Sequence, residues 1–600
     1  MAPSKLRMLL SAAIVVAAVA APVVADGHGH GHDEQLQNIT SNSNDGNGMH
    51  GMTPFNMTDF RLNYDPESFM SIAEDRSLLL LHITFMVLAF VFVLPVSLMF
   101  SIAGNPLQFP IHLAFLALVA LGLAPGALYA SRAPDLYPGN VHSKFAYILV
   151  AILILHFVAS LFKTLLAWAL TSSDDEIDGM DDIDHDHHAD DADSAHVPLH
   201  RPSHDGGSFS GSAGSDATLN GYQDEIENTL YGSGDPKLSS SSSSSSLRHQ
   251  HSPEHRIQRY IASRLQPLRL ALNALPRTLL AKLHLLASVF FSIFNRPLVV
   301  IGFFQIMTGI ITAGCIGRDR LVFNMLAHTI KGSVFLWFGV LTFARVLGAF
   351  ANLGWAWNIR PQVPSSSLSW GARFFDCNME MVESGLIFFY GITNVFMEHM
   401  ANPGGEWSHK DLQHASIAFM FIGGGLGGLL FESNAVRGLL NAPVAGLAAR
   451  SSANKHNHVD QAPVQYGFSF NPFPGFTVFW TGILMSQHHQ ATELSTTIHM
   501  QWGYLLAIGA LLRLLTYTIM YVSPPTSVLP SRPLSEVLVG FCLIAGGIVF
   551  VASEDEAVGA MLYYNIDAMF TMNLTVGFTA LFMSWITILM AFKGWAFRRR

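Results

Sequence analysis

Eleven long apolar runs decide the class of fold before any single residue is considered. They lie at 78–101, 108–130, 142–170, 298–316, 324–350, 376–400, 412–431, 472–489, 498–521, 535–553 and 567–592. A helix rises about 1.5 Å per residue, so runs of this length cross roughly 30 Å of hydrocarbon. In lipid every backbone N–H and C=O has to be paired inside the protein, which leaves helices or a closed barrel. Unbroken apolar runs, without alternation, select helices. The expected fold is therefore all-α, a polytopic membrane bundle of about 11 transmembrane helices after a cleaved signal peptide. A chain that is 50% hydrophobic and 13% charged is also wrong for a large soluble protein. The net charge of −10 gives no reason to expect a nucleic-acid partner, because the acidic residues crowd into 174–193; the expected partner is the lipid bilayer.

Residues 1–25 read as the signal peptide, with Lys5 and Arg7 before an Ala/Val/Leu run and Val23-Val24-Ala25 as cleavage site. Residues 26–75 form a lumenal segment with histidines and two glycosylation sequons, at Asn38 and Asn56. Three spans occupy 76–170. Residues 171–275 are a cytoplasmic loop, acidic and then serine-rich (Ser239–Ser246), whose composition cannot bury a core. Residues 276–296 carry Lys282 and His284 and read as an interfacial helix, and 297–600 hold eight further spans. Counting crossings puts the N-terminus in the lumen or outside and the C-terminus in the cytoplasm. Arg345, Arg360, Arg373, Arg437, Arg450, Lys455, Arg532, Lys593 and Arg598–Arg600 then fall on the cytoplasmic side. Arg318, Arg320, Lys410 and the acidic Glu554-Asp555-Glu556 fall on the other. The location expected is a membrane of the secretory pathway (ER, Golgi, vacuole or plasma membrane). The three cysteines, Cys315, Cys377 and Cys542, are too scattered for a disulfide framework or a zinc finger.

The same counting brings Glu398, His399, His409, His414, His488, His489, Glu493 and His499 to the lumenal ends of two helical hairpins, with His328 entering from that side. Ionisable groups are costly in a bilayer, so several at one depth call for a shared partner, water or a metal. Imidazole with carboxylate suits zinc, copper or iron better than magnesium or calcium. The competing reading is a polar cap wetted by lipid headgroups. No HExxH motif and no complete three-histidine box occurs. At the cytoplasmic end Glu380 and Glu383 share a helix face, with Glu432, Arg345 and Arg513 expected nearby. Such groups commonly neutralise one another, and a proton or ion path is the alternative.

His142 and His156 lie on one expected helix, about 21 Å apart along its axis. His82 is level with His142 and His112 with His156, so His82/His142 and His112/His156 are geometrically candidate bis-histidine sites for b-type haem. Interfacial histidines are the plainer reading. The tracts His28-Gly-His-Gly-His and Asp184-His185-Asp-His187-His188 can bind metal loosely or be incidental low-complexity sequence.

Several stretches resemble the fungal Ytp family of membrane proteins. His82-Ile-Thr-Phe-Met through Leu94-Pro95, and Ala133-Pro-Asp-Leu-Tyr-Pro-Gly-Asn-Val-His142-Ser-Lys, resemble its first domain, itself distantly like the two-haem b-type cytochromes. Lys331-Gly-Ser-Val-Phe, Leu353-Gly-Trp-Ala-Trp-Asn358, Met397-Glu398-His399, Thr481 through Gln490, and Ile498-His499-Met-Gln-Trp502-Gly503 resemble its second. The resemblance covers 75–170 and 295–595. It implies a topology and a weak likeness to electron-transport proteins, with no established substrate. The function expected is a membrane protein with a lumen-facing His/Glu metal site and a haem-linked redox role. The alternatives are a metal ion transporter, a metal-dependent membrane hydrolase or oxidase, and a scaffold recruiting partners through its serine-rich loop.

Overall fold

A computed structural model of the chain describes residues 68–181, 274–318, 321–359, 377–397, 407, 409–452, 463–487, 490–527 and 529–599. The expected signal peptide, the sequons at Asn38 and Asn56, and nearly all of the acidic and serine-rich loop lie outside the described residues. Each of the eleven apolar runs contains a helix. These are α1 (Arg76–Ile102), α2 (Gln108–Ala130), α3 (Val141–Asp181), α5 (Leu298–Ala313), α6 (Val322–Val346), α7 (Met379–Met397), α8 (His409–Glu432), α10 (Phe473–Ser486), α11 (Glu493–Val522), α12 (Leu534–Ala552) and α14 (Ala568–Arg598). Three helices lie between them: α4 (Arg277–Asn295), α9 (Asn434–Ser452) and the short α13 (Asp555–Tyr563). Among the described residues nine stretches are long and apolar enough to cross a membrane. α7, which carries Glu380 and Glu383, and α10, at 14 residues, are not among the nine. The expected interfacial helix is α4, and together with α5 it forms one of the nine stretches.

Contacts divide the chain into two units, residues 1–161 with 287–600, and residues 162–286. The described part of the second holds the ends of α3 and α4. All that follows concerns the first.

Local sequence explains several departures from regular helix. Pro95 has no N–H, so the Val91 carbonyl loses its donor within α1. The helix widens into a π turn over Leu88–Val93, and the Trp585 indole of α14 donates to Val91 O at 3.0 Å. Starts are capped by side chains: Thr492 Oγ1 accepts from Ser495 N at the head of α11, and Asp567 Oδ1 from Phe570 N at the head of α14.

Small residues set how closely the C-terminal helices approach. A Cβ on Gly332 of α6 would sit 2.7 Å from Gly547 O of α12, and one on Gly339 would sit 2.7 Å from Ile544 N. On α8 the glycine run 423–428 brings Gly425 against the Phe388 backbone of α7. That is the close packing expected of intramembrane glycines. Between α11 and α12 the core is aromatic: Trp502 stacks flat on Phe550 at 4.1 Å, with Ile498, Leu506 and Leu543 around it. A second core gathers Phe90, Leu94, Phe115, Leu149, Leu153 and Ile301 from α1, α2, α3 and α5.

Contacts between the described loops fall into two groups. Phe69 N donates to Ala313 O, the Tyr137 hydroxyl lies 2.9 Å from Gly317 O, and Asn324 Nδ2 donates to Asp555 at 2.9 Å. All of these segments were expected on the lumenal side. Asn105 Nδ2 donates to Ala596 O, Asn295 Nδ2 to Ser101 Oγ, and the Trp357 indole to Leu529 O. All of those were expected on the cytoplasmic side.

Candidate functional site

The strongest concentration of chemistry is a buried charge centre at the expected cytoplasmic end. Arg345 of α6, Glu380 and Glu383 of α7, Arg513 of α11 and Glu536 of α12 are each at most 4% exposed, and Arg532, just ahead of α12, is 6% exposed. Arg345 Nη1 meets Glu383 at 3.2 Å. Arg513 reaches three carboxylates: Glu383 at 3.5 Å, Glu380 at 3.6 Å and Glu536 at 3.0 Å. Arg532 lies 3.9 Å from Glu536. Three cations thus face three anions, which is what makes ionised groups tolerable at low dielectric.

Neutral partners complete the centre. Arg345 also donates to Trp355 O at 3.0 Å and to Asn358 Oδ1, while Asn358 Nδ2 and the Tyr517 hydroxyl both donate to Glu380 Oε1. Asn358 is placed by a run of left-handed residues, Phe350, Gly354 and Asn358 itself, which fold 350–358 back under α6. Glu432 lies to one side and accepts from Asn378 Nδ2 at 2.5 Å and Ser469 Oγ at 2.6 Å. The expected group of Glu380, Glu383, Arg345 and Arg513 does converge. Arg532, Glu536, Tyr517 and Asn358 were not foreseen as members. Glu536 carried a readable signal, since an acid in the first turn of an apolar span needs a partner.

At the expected lumenal end, the proposed metal ligands are distributed as follows. Glu398, His399, His488 and His489 lie outside the described residues, as does the side chain of His409. His414 is half-buried and Glu493 is exposed in the first turn of α11. His499 is 3% exposed and faces His328, with ring centroids 5.8 Å apart and planes at 88°. Each donates Nδ1–H to the carbonyl four residues earlier, His328 to Asn324 at 2.9 Å and His499 to Ser495 at 2.8 Å. Carbonyls only accept, so in both rings Nε2 carries the lone pair. Among the described residues no three of histidine, cysteine, aspartate and glutamate come together as ligands for one metal ion.

The N-terminal histidines pair as expected, but the two pairs differ. His82 and His142 face each other with centroids 6.2 Å apart and planes at 84°. His82 Nδ1 donates to Gly122 O at 2.8 Å, one residue from the carbonyl that Pro125 leaves without a donor. His142 Nδ1 lies 3.1 Å from Thr308 Oγ1, which already donates to Gln305 O and so accepts here. Gln305 Nε2, 3.0 Å from the same ring nitrogen, has the His142 carbonyl as an acceptor at 3.3 Å. His82 therefore presents Nε2 as its lone-pair nitrogen, whereas His142 has the Gln305 amide, which can only donate, at 3.0 Å from Nδ1 and 3.5 Å from Nε2. Glycines make room for them: a Cβ on Gly126 would lie 2.9 Å from His82 Cε1, and one on Gly309 would lie 3.1 Å from His142 Cε1.

Two metal–nitrogen bonds of about 2 Å, plus the half-width of each ring, put coordinated imidazole centroids about 6 Å apart. His82 and His142 fit that requirement. His112 and His156 do not: they hydrogen-bond directly, Nδ1 to Nε2 at 3.2 Å, with centroids at 4.8 Å, and Phe291 stacks on His156 at 4.6 Å. Of the two candidate pairs, His82 and His142 are the ones whose centroids lie at that spacing.

Residues 301–594 match the family described as "Protein YTP1-like, C-terminal", and residues 63–166 match a domain of unknown function, DUF2427. An uncharacterized membrane protein of Saccharomyces cerevisiae is 44% identical over 337 residues, which is 55% of this chain and 52% of the relative. An uncharacterized membrane protein of Schizosaccharomyces pombe is 32% identical over 566 residues, covering 92% of this chain and 100% of the relative. The protein YTP1 of Saccharomyces cerevisiae is 23% identical over 239 residues, 40% of each chain. The chain thus spans about half the length of the first of these relatives and all of the second. No solved structure matches the chain.

Proposed function

The chain is a membrane protein of the YTP1-like family, and from that premise we propose that it is redox-active, with a single b-type haem held between His82 and His142. The observation that carries this reading is the pair itself: two imidazoles from different helices, with ring centroids 6.2 Å apart. A haem bound there would supply a one-electron couple. The work of the chain is positional: the Gly122 carbonyl holds the His82 Nδ1–H, Thr308 and Gln305 hold the His142 ring, and Gly126 and Gly309 let the rings lie against α2 and α5.

A second reading, the lumen-facing transition-metal site, is favoured by the matching arrangement of His328 and His499. It would draw further donors from Glu398, His399, His409, His414, His488, His489 and Glu493. A transporter, or a hydrolase or oxidase, would use the same donors around zinc, copper or iron. In either reading the N-terminus is lumenal, in a membrane of the secretory pathway.

The test is an iron, copper and zinc analysis together with a reduced-minus-oxidised absorption spectrum of the full chain purified in detergent. The haem reading expects a b-type band that disappears in His82→Ala and in His142→Ala and survives in His112→Ala. Protein without iron and without a band overturns it. Zinc or copper lost in His499→Ala, with no band, selects the second reading.

A further inference from the structure

We propose that Glu380 is a proton-binding site inside the membrane domain, a carboxyl that takes up and releases a proton while the rest of the charge centre stays ionised. The inference is independent of any metal at the histidines and concerns the opposite end of the bundle.

Compensation is unequal among the three carboxylates. Glu536 has Arg513 at 3.0 Å and Arg532 at 3.9 Å. Glu383 has Arg345 at 3.2 Å and Arg513 at 3.5 Å. Glu380 has Arg513 alone, at 3.6 Å, and that guanidinium is shared with both other acids. Glu380 also stands one helical turn from Glu383 on the same face of α7, so the two repel when both are charged.

Its two oxygens are treated differently. Oε1 accepts from Asn358 and from Tyr517, whereas Oε2 is fully buried and has no hydrogen-bond partner. A buried carboxylate oxygen left bare is expensive. A proton on Oε2 removes that charge and leaves both donors to Oε1 in place. Ser384, one turn further along α7, donates its hydroxyl to Glu380 O at 2.8 Å.

A cavity of about 20 Å³ lies beside Glu383 and Arg513, its remaining lining apolar with Phe338, Val478, Val539 and Leu543. On the other flank Glu432, with Asn378 and Ser469, supplies polar groups toward the expected cytoplasmic surface. The titratable and charged groups that face Glu380 are Glu383 on its own helix, Arg345 on α6, and Arg513 and Tyr517 on α11; Arg532 and Glu536, around the start of α12, join the centre through Arg513.

A membrane-soluble carbodiimide tests this directly on the full chain. The acid O–H adds across one C=N bond to give an O-acylisourea, which rearranges by acyl transfer to a stable N-acylurea. All atoms of both reactants are retained, and only the protonated acid reacts. Peptide mapping by mass spectrometry should find the label on Glu380 and not on Glu383 or Glu536. Its rate should fall about tenfold per pH unit above the group's titration point. Infrared spectra should show a buried carboxylic-acid carbonyl band that moves in D2O and vanishes in Glu380→Gln. Wild-type protein with neither label nor acid band overturns the proposal, as does a label spread evenly over the three acids. Because the wild-type chain alone decides, the outcome does not depend on whether Glu380→Gln folds.

Discussion

Arg345 and Glu383, both essentially inaccessible, meet at 3.2 Å between α6 and α7 with no solvent to take over from either. Removing one partner of such a pair strands the other. Arg345→Met and Glu383→Leu should therefore each destabilise the detergent-solubilised protein by about 3–5 kcal/mol, read from the midpoint of denaturant unfolding. The double variant should be clearly less destabilised than the sum, because it leaves neither charge uncompensated by the other. Strict additivity would mean that the two groups are paired independently with others, Arg513 and Asn358 being the nearest.

Gly423 and Gly425, two residues apart and so on opposite faces of α8, make a sharper test of packing than either alone. A Cβ on Gly425 would lie 2.6 Å from Phe388 Cα, while one on Gly423 meets nothing within 4 Å. Gly425→Leu must push two backbones apart, which costs about 3 kcal/mol or more; Gly423→Leu should fall within about 0.5 kcal/mol of wild type. Equal effects on thermal stability would contradict the α7–α8 contact.

The glycine run was legible as a packing device, but which glycine is in contact depends on the rotation of α8, and composition carries no signal for that. All eleven apolar helices were legible because lipid demands intrahelical pairing. Arg345, Glu380, Glu383 and Arg513 were legible because an ion in a span needs a counter-ion. Asn358 was not, since it arrives by a left-handed turn after α6 that no periodicity announces. The pairing of His82 with His142 was legible from their shared level along α1 and α3, whereas the direct contact of His112 with His156 required knowing how closely α2 and α3 approach.

Glu554, between α12 and α13, supplies a dependence on pH. It is 3% exposed; its Oε2 accepts from Ala557 N at 2.8 Å, and its Oε1 is buried without a hydrogen-bond partner. Burial, helped by the charges of Glu556 and Asp555 and opposed by the backbone N–H groups of Glu556 and Ala557, pushes its carboxyl up to about 7. Glu556 is raised as well, by burial first, against its bond from Gly317 N. A raised acid binds its proton more tightly when folded, so its contribution is fully present below the unfolded value of 4.5 and is lost as pH rises through about 7. The full excursion is on the order of 3 kcal/mol. Glu554→Gln should match wild type near pH 4 and be the more stable protein at pH 8, as thermal unfolding across that range would show. A gap between the two that does not widen with pH would contradict this account of Glu554.

The His82–His142 pair can be probed without touching either histidine. Gly126 lies behind the His82 ring, and a Cβ there would stand 2.9 Å from Cε1 and 3.0 Å from Cγ. The ring cannot retreat, because its Nδ1 is held by Gly122 O on the same helix. Gly126→Val should therefore rotate the imidazole away from His142 and break that bond, while the α1–α2 core around Phe90 and Phe115 stays intact. If the pair holds haem iron, the iron content and the b-type band of the purified protein should fall at least tenfold in Gly126→Val. Gly309→Ala, whose Cβ would meet His142 Cε1 at 3.1 Å, should weaken them less, since a few tenths of an ångström relieve it. Far-ultraviolet circular dichroism should be unchanged in both. A Gly126→Val protein that keeps its iron at wild-type level would place the metal elsewhere, because the added side chain stands against the His82 ring in the orientation that faces His142.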